Sequence, residues 1–141
     1  MNSKSINDIQ NEILEEFEPF DDWMDRYSLL IDMGNSLAPL SDSEKTPEHL
    51  IEGCQSRVWI TISPEADGTL SLRGDSDALI VKGIAALLLR VYDGHTPQEI
   101  VSSDLFFIDK MGLREHLSPT RSNGLVSMIA QIQRTAQSFI A

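Results

Sequence analysis

The chain has 141 residues, a formal net charge of −11 and one cysteine. That length fits a single domain over residues 1–141, large enough to fold without a disulfide or metal staple, and one cysteine cannot form an internal disulfide. The charge argues against nucleic acid as a partner, because phosphate binding needs a basic footprint, and against an anionic membrane surface for the same reason.

The charge is uneven: residues 1–52 hold 13 acids and 3 bases, leaving 9 acids and 8 bases for the remainder. The simple reading is that the acids form solvated faces of N-terminal helices; the sharper one is a surface that steers a basic partner protein. In "SINDIQNEILEEFEPF", Ile6, Ile9, Ile13 and Phe17 recur at helical spacing, with Ser3 or Ser5 as cap and Pro19 as stop. "DDWMDRYSLLIDMGN" repeats the pattern through Trp23, Tyr27, Leu30 and Ile31, with Gly34 in place for a C-cap. Residues 35–48 read as loop.

"HLIEG" (49–53) is a candidate short strand, and "SRVWITIS" (56–63) and "TLSLR" (69–73) alternate as strands around the "PEADG" turn. An antiparallel meander of about three strands is expected, with Cys54 in the tight turn between the first two. "SDALIVKGIAALLLRVYDG" (76–94) is apolar almost all round, so it reads as a core helix, capped by Asp75 or Ser76 and ended by Gly94. It is too short, and too interrupted by Lys82 and Arg90, to span a bilayer. "TPQEI" (96–100) carries a capping box, 104–112 a short helix and 118–140 a long one. Helices, then a small sheet, then helices without βαβ alternation give the class α+β. No signal peptide opens the chain, so a cytoplasmic protein is expected.

Motif by motif, much is missing. The single cysteine excludes Cys-x-x-Cys chemistry. His49, His95 and His116 show no metal-ligand spacing, and "GDSDALIVKG" is not a phosphate loop. No cofactor or metal is expected. Cys54 remains. A lone cysteine is ordinarily a small buried hydrophobe, but Gly53 permits a positive φ and Gln55 and Ser56 tolerate turns, which places this thiol at a turn tip. Arg57 is the nearest positive charge that could help form a thiolate. Arg121 is a second anomaly, because it puts positive charge into the first turn of the last helix. It is either an ordinary surface arginine or a residue with a local task. In "GDSD" (74–77) the acids, Asp75 among them, suit a helix N-terminus.

"GCQSRVWI", "GDSDALIVKGIAALLL", "GHTPQEI" and "LSPTRSNGL" stand in the order and spacing of the SufE family, and the resemblance runs from about Asp21 to the C-terminus. The chain also resembles the CsdE branch. The resemblance implies an α+β fold related to the IscU-like scaffold fold. It implies a sulfur acceptor of iron–sulfur cluster assembly that is not itself an enzyme. It further implies that Cys54 takes a persulfide sulfur from a SufS-type, PLP-dependent cysteine desulfurase, and that the chain stimulates that enzyme and passes the sulfur to a SufBCD-type scaffold. Gly53, Gln55, Ser56, Arg57, Asp75 and Arg121 are the expected supporting or partner-contact residues, in a monomer or weak homodimer. A CsdE-type acceptor serving another sulfur-transfer pathway is the alternative. A hydrolase pairing Cys54 with His95 or His116 is another, as is an adaptor whose cysteine is incidental. A thiol that must be reachable yet protected is expected to rest against Ile51, Val58 and Trp59.

Overall fold

The computed structural model describes residues 4–52 and 56–140. Helix α1 (Ile6–Phe17) starts where Ser5 Oγ accepts the Asp8 amide at 3.0 Å, and it buries Ile6, Ile9, Ile13 and Phe17 as the spacing predicts. It also buries Gln10, whose amide donates to the Asp104 carbonyl at 2.9 Å and accepts the Phe107 amide at 3.1 Å. That side chain satisfies two backbone groups which the core would otherwise leave unpaired.

Helix α2 (Trp23–Asn35) is capped by Asp22. Gly34 is not its C-cap, which is Ser36. Gly34 instead meets Gly83 of helix α3 (Leu79–Tyr92): a Cβ at Gly34 would lie 2.8 Å from the Gly83 nitrogen, and one at Gly83 would overlap the Leu30 carbonyl. Two glycines therefore let the helix backbones touch, a packing role that a cap reading cannot anticipate.

Strands β1 (Val58–Pro64) and β2 (Leu70–Ser76) form an antiparallel hairpin with Trp59 opposite Asp75 and Ile60 opposite Gly74. Its turn uses Gly68 at φ +89°. Val58, Ile60, Leu70 and Leu72 are buried on the inner face. Among the described residues the sheet has two strands, not three. The expected first strand is reduced to a bridge between Leu50 and Trp59, where Ile51 N–H donates to the Val58 carbonyl and Ile60 N–H to that of His49. The turn expected around Cys54 falls on residues 53–55, outside the described residues.

Helix α3 lies at the centre, in contact with α1, α2, β2 and the last helix, which is why its sequence is apolar almost all round. It begins at Leu79, and its cap residue Ala78 has no side-chain cap bond, so neither Asp75 nor Ser76 is the N-cap. Gly94 at φ +77° turns the chain away. Helix α4 (Pro97–Ser102) carries the Thr96–Glu99 capping box. Helix α5 (Phe106–Lys110), a 3-10 turn over Arg114–His116, and helix α6 (Pro119–Ser138) complete an α+β fold.

Candidate functional site

The described residues that flank Cys54 in the chain are held by backbone and side-chain bonds. Ile51 N–H reaches the Val58 carbonyl at 2.8 Å, so both flanks are backbone-bonded, and both side chains are buried. The next anchor is Arg57. Its N–H donates to Asp77 Oδ1 at 3.0 Å. Its carbonyl accepts the Asp77 N–H at 3.2 Å and the Ser76 hydroxyl at 2.8 Å. The Arg57 guanidinium is left at the surface. Ser76 Oγ also accepts the Ala78 amide at 3.2 Å, which joins this clamp to the start of α3.

Asp75 stands one residue behind the clamp and is buried. Its carboxylate accepts Ser76 N–H at 2.8 Å and Leu40 N–H at 3.2 Å. Lys82 Nζ lies 3.3 Å and Lys45 Nζ 3.5 Å from it. Burial pushes the Asp75 carboxyl up, but the Ser76 and Leu40 amides and the Lys82 ammonium outweigh it and hold the group below its ordinary value. As a buried, fully engaged carboxylate it is an internal support, not an exposed partner contact. Lys45 also lies 5.4 Å from the half-buried Trp59 ring centre.

Helix α6 brings up the opposite wall. Ser118 Oγ accepts the Arg121 amide at 3.3 Å and Pro119 takes the first helical position, leaving the Arg121 side chain exposed. Ser56, Arg121 and Thr120 share a cavity of about 20 Å³ with Val81, Ile84 and Met128. Residues far apart in sequence thus converge: Ser56 from the cysteine loop, Val81 from α3 and Arg121 from α6. The floor is apolar and the rim polar. The cavity is far below the roughly 300–1,000 Å³ of pockets for small ligands. A larger concavity, about 460 Å³, lies at the other end of α3, where Arg90 is already bonded to Glu16 and Arg73 to Glu44. Gly53, Cys54 and Gln55 lie outside the described residues, so the expected packing of the thiol on Ile51, Val58 and Trp59 is not seen directly.

The histidines do not gather here. His95 is buried beside the hairpin turn, where its carbonyl accepts the Leu70 amide and its Nε2 donates to the Lys4 carbonyl at 2.8 Å. Leu70 and Ser76 are the two ends of β2, about 20 Å apart at ordinary strand rise. The His116 ring stacks on Trp23 at 4.1 Å, and its Nδ1 donates to the Gly112 carbonyl at 2.8 Å. Among the described residues no three His, Cys, Asp or Glu side chains gather to hold a metal ion, and no helix is long and apolar enough to cross a membrane.

Sequence reasoning missed Ser76, Asp77, Lys82 and Lys45. The signal for Lys82 was present: a lysine inside a helix that is apolar all round needs a buried partner. Ser76 and Asp77 were legible only as caps, because their true partner is fixed by strand register. Leu79, which is 59% exposed just beyond the clamp, is a further apolar feature of this corner.

A family model described as SufE, Fe-S metabolism associated domain, matches residues 11–136. The match begins inside α1, so the N-terminal helix belongs to the likeness more fully than the motifs from Asp21 onward suggest. The fold is similar to the solution structure of a hypothetical protein from Thermus thermophilus. The TM-score is 0.75 at 21% identity, over 93% of this chain and 95% of that one.

Proposed function

Since the chain belongs to the SufE family of Fe-S metabolism, we propose that it is a sulfur acceptor whose working group is Cys54. The thiolate of Cys54 attacks the outer sulfur of a donor Cys–S–SH. The donor S–S bond breaks as the new one forms, the donor leaves as a thiolate, and Cys54 becomes Cys54–S–SH with no net oxidation. The donor fitting this chemistry is a SufS-type cysteine desulfurase, and the receiver a SufBCD-type scaffold. A single cysteine suits a carrier, since a second thiol in the chain could attack the persulfide and release sulfide.

The observation that carries this reading is the family match over residues 11–136, which includes the sole cysteine. The geometry supports it. The described residues on either side of Cys54 in the chain are anchored, Ile51 to Val58 and Arg57 to Asp77. At Ser56 lies a small cavity with an apolar floor, and the same corner carries the exposed cations Arg57 and Arg121 and the exposed apolar Leu79. Such a site suits a reaction whose other reactant arrives on a protein.

The test is mass spectrometry of the chain after incubation with a cysteine desulfurase and L-cysteine. A gain of one sulfur on Cys54, absent from Cys54→Ser, is expected. Cys54→Ser is also expected to lose stimulation of the desulfurase while its thermal midpoint stays near that of the native chain. A Cys54→Ser chain that stimulates as well as the native one would rule the acceptor role out.

A further inference from the structure

Three residues after Cys54 in the chain, Arg57 is held by Ser76 and Asp77 rather than by a continued strand ladder alone. Whatever fixes Ser76 and Asp77 therefore fixes Arg57. Both stand at the corner between β2 and α3, and among the described residues the buried charge centre of that corner is Asp75. Its carboxylate reaches three separate pieces of chain. Leu40 N–H and Lys45 belong to the segment after α2, Ser76 N–H to the corner itself, and Lys82 to the first turn of α3. Val81, next to Lys82, lines the same cavity as Ser56 and Arg121.

We propose that Asp75, through its grip on Lys82, is a positioning residue for Ser56 and Arg57, the described residues that follow Cys54 in the chain. The pair sets the angle between β2 and α3, and with it the placement of the Ser76–Asp77 clamp on Arg57 and the Val81 wall beside Ser56. Two features favour this over a role in stability alone. A buried ion pair is a poor stabiliser compared with apolar residues of the same volume, because both charges are desolvated. Its geometry is also specific: each Asp75 oxygen meets one lysine and one amide, Oδ1 taking Lys82 and Ser76, Oδ2 taking Lys45 and Leu40. Loosening the pair should free the clamp while the helical core, held by its apolar contacts, stays closed.

The proposal rests on Cys54 being the working group, but its test needs no sulfur donor, so its failure is separable from failure of the acceptor reading. The probes are the iodoacetamide alkylation rate of Cys54 and amide hydrogen exchange, both well below each variant's thermal midpoint. In Asp75→Asn the Arg57 and Asp77 amides should exchange about tenfold faster and the alkylation rate should change by at least about threefold, because a local opening equilibrium has shifted. The amides of Ile132 and Leu88 should keep their native rates. Lys82→Met should move the same amides in the same direction by less, as Lys45 and the two N–H groups remain, and Lys82→Arg should restore native rates. Should Asp75→Asn fail to fold, Lys82→Met and Lys82→Arg decide. Unchanged exchange at Arg57 and Asp77 in a folded variant overturns the proposal. So does faster exchange spread evenly over the whole chain, which is the mark of a merely structural ion pair.

Discussion

The two ends of the hairpin are held by different mixtures of bonds. At the turn end, β2 is bonded backbone to backbone by Leu70 N–H to the His95 carbonyl at 2.9 Å and Gly94 N–H to the Leu70 carbonyl at 2.9 Å, with local side-chain support from Asp93, which takes the Leu72 N–H at 2.8 Å, and from Asp67, which takes the Thr69 N–H at 3.0 Å. The buried His95 ring then ties this end to Lys4. At the other end, next to the residues that flank Cys54 in the chain, the backbone bonds of Ile51 to Val58 and Asp77 to Arg57 are joined by the side chains of Asp75, Ser76 and Asp77, which are centred on a buried carboxylate. Backbone bonds are common to almost any sequence and are lost only when the segment unfolds. Side-chain bonds can be lost one at a time while the fold stays intact. The end whose side-chain bonds centre on the buried Asp75 is therefore expected to loosen more readily on a single substitution, without unfolding the molecule.

The contrast is broken most severely from the turn end. His95→Ala removes a ring that is 2% exposed and its bond to Lys4, and is expected to cost about 2–3 kcal/mol in urea unfolding. The alkylation rate of Cys54 per folded molecule should stay native; a change there would show that the two ends are coupled. Asp77→Ala works at the other end. Loss of one hydrogen bond to Arg57 N–H should cost about 1 kcal/mol. Yet it should alter Cys54 alkylation and sulfur transfer more than His95→Ala does. If the order of the two variants is the same for stability and for reactivity, the distinction between the ends fails. Arg121→Ala has the smallest cost of the three, within about 0.5 kcal/mol for an exposed side chain. It should still lower sulfur transfer, because Arg121 bounds the cavity that also takes Ser56. A marked fall in the thermal midpoint with normal transfer per folded molecule would assign it to structure alone.

The same contrast explains what was legible in the sequence. The turn end follows from local rules: alternation gives the hairpin, and the Thr96–Glu99 box and Gly94 give the boundaries around it. The stripes of α1 and α3 were equally plain, since each side chain's burial follows from its period. The site is harder to read because its bonds join positions brought together only by strand register, as Arg57 to Asp77 or Trp59 to Asp75. A carboxylate before a helix looks the same whether it caps that helix or holds a lysine one turn inside it. Gly34 misled for a related reason, because close approach to Gly83 and a helix cap both ask for the missing side chain. Arg121 lines the same cavity as Ser56, and no local pattern encodes that convergence.

Acid and alkali should separate the two ends more gently than any substitution. Amides and lysine hold the Asp75 carboxyl below its ordinary value of about 3.9 despite its burial. A depressed native value adds stability that is complete above the unfolded value and is lost as pH falls through the native one. The side-chain-built end should therefore weaken in acid, below the ordinary carboxylate range. At the turn end, Tyr92 immediately precedes the Asp93–His95 segment that bonds β2, and burial pushes its phenol above its ordinary value of about 10, outweighing the polar neighbours Ser103 and Gln133. A raised native value adds stability that is complete below the unfolded value and is lost as pH rises through the native one. Tyr92→Phe keeps the ring and removes the titrating group. It should leave stability at neutral pH within about 1 kcal/mol of native, flatten the alkaline limb above about pH 10, and leave the acid limb untouched. Asp75→Asn, where it folds, should do the reverse. Urea midpoints measured across pH for the three chains check this: an alkaline limb that keeps its native slope in Tyr92→Phe would show that another group governs the turn end.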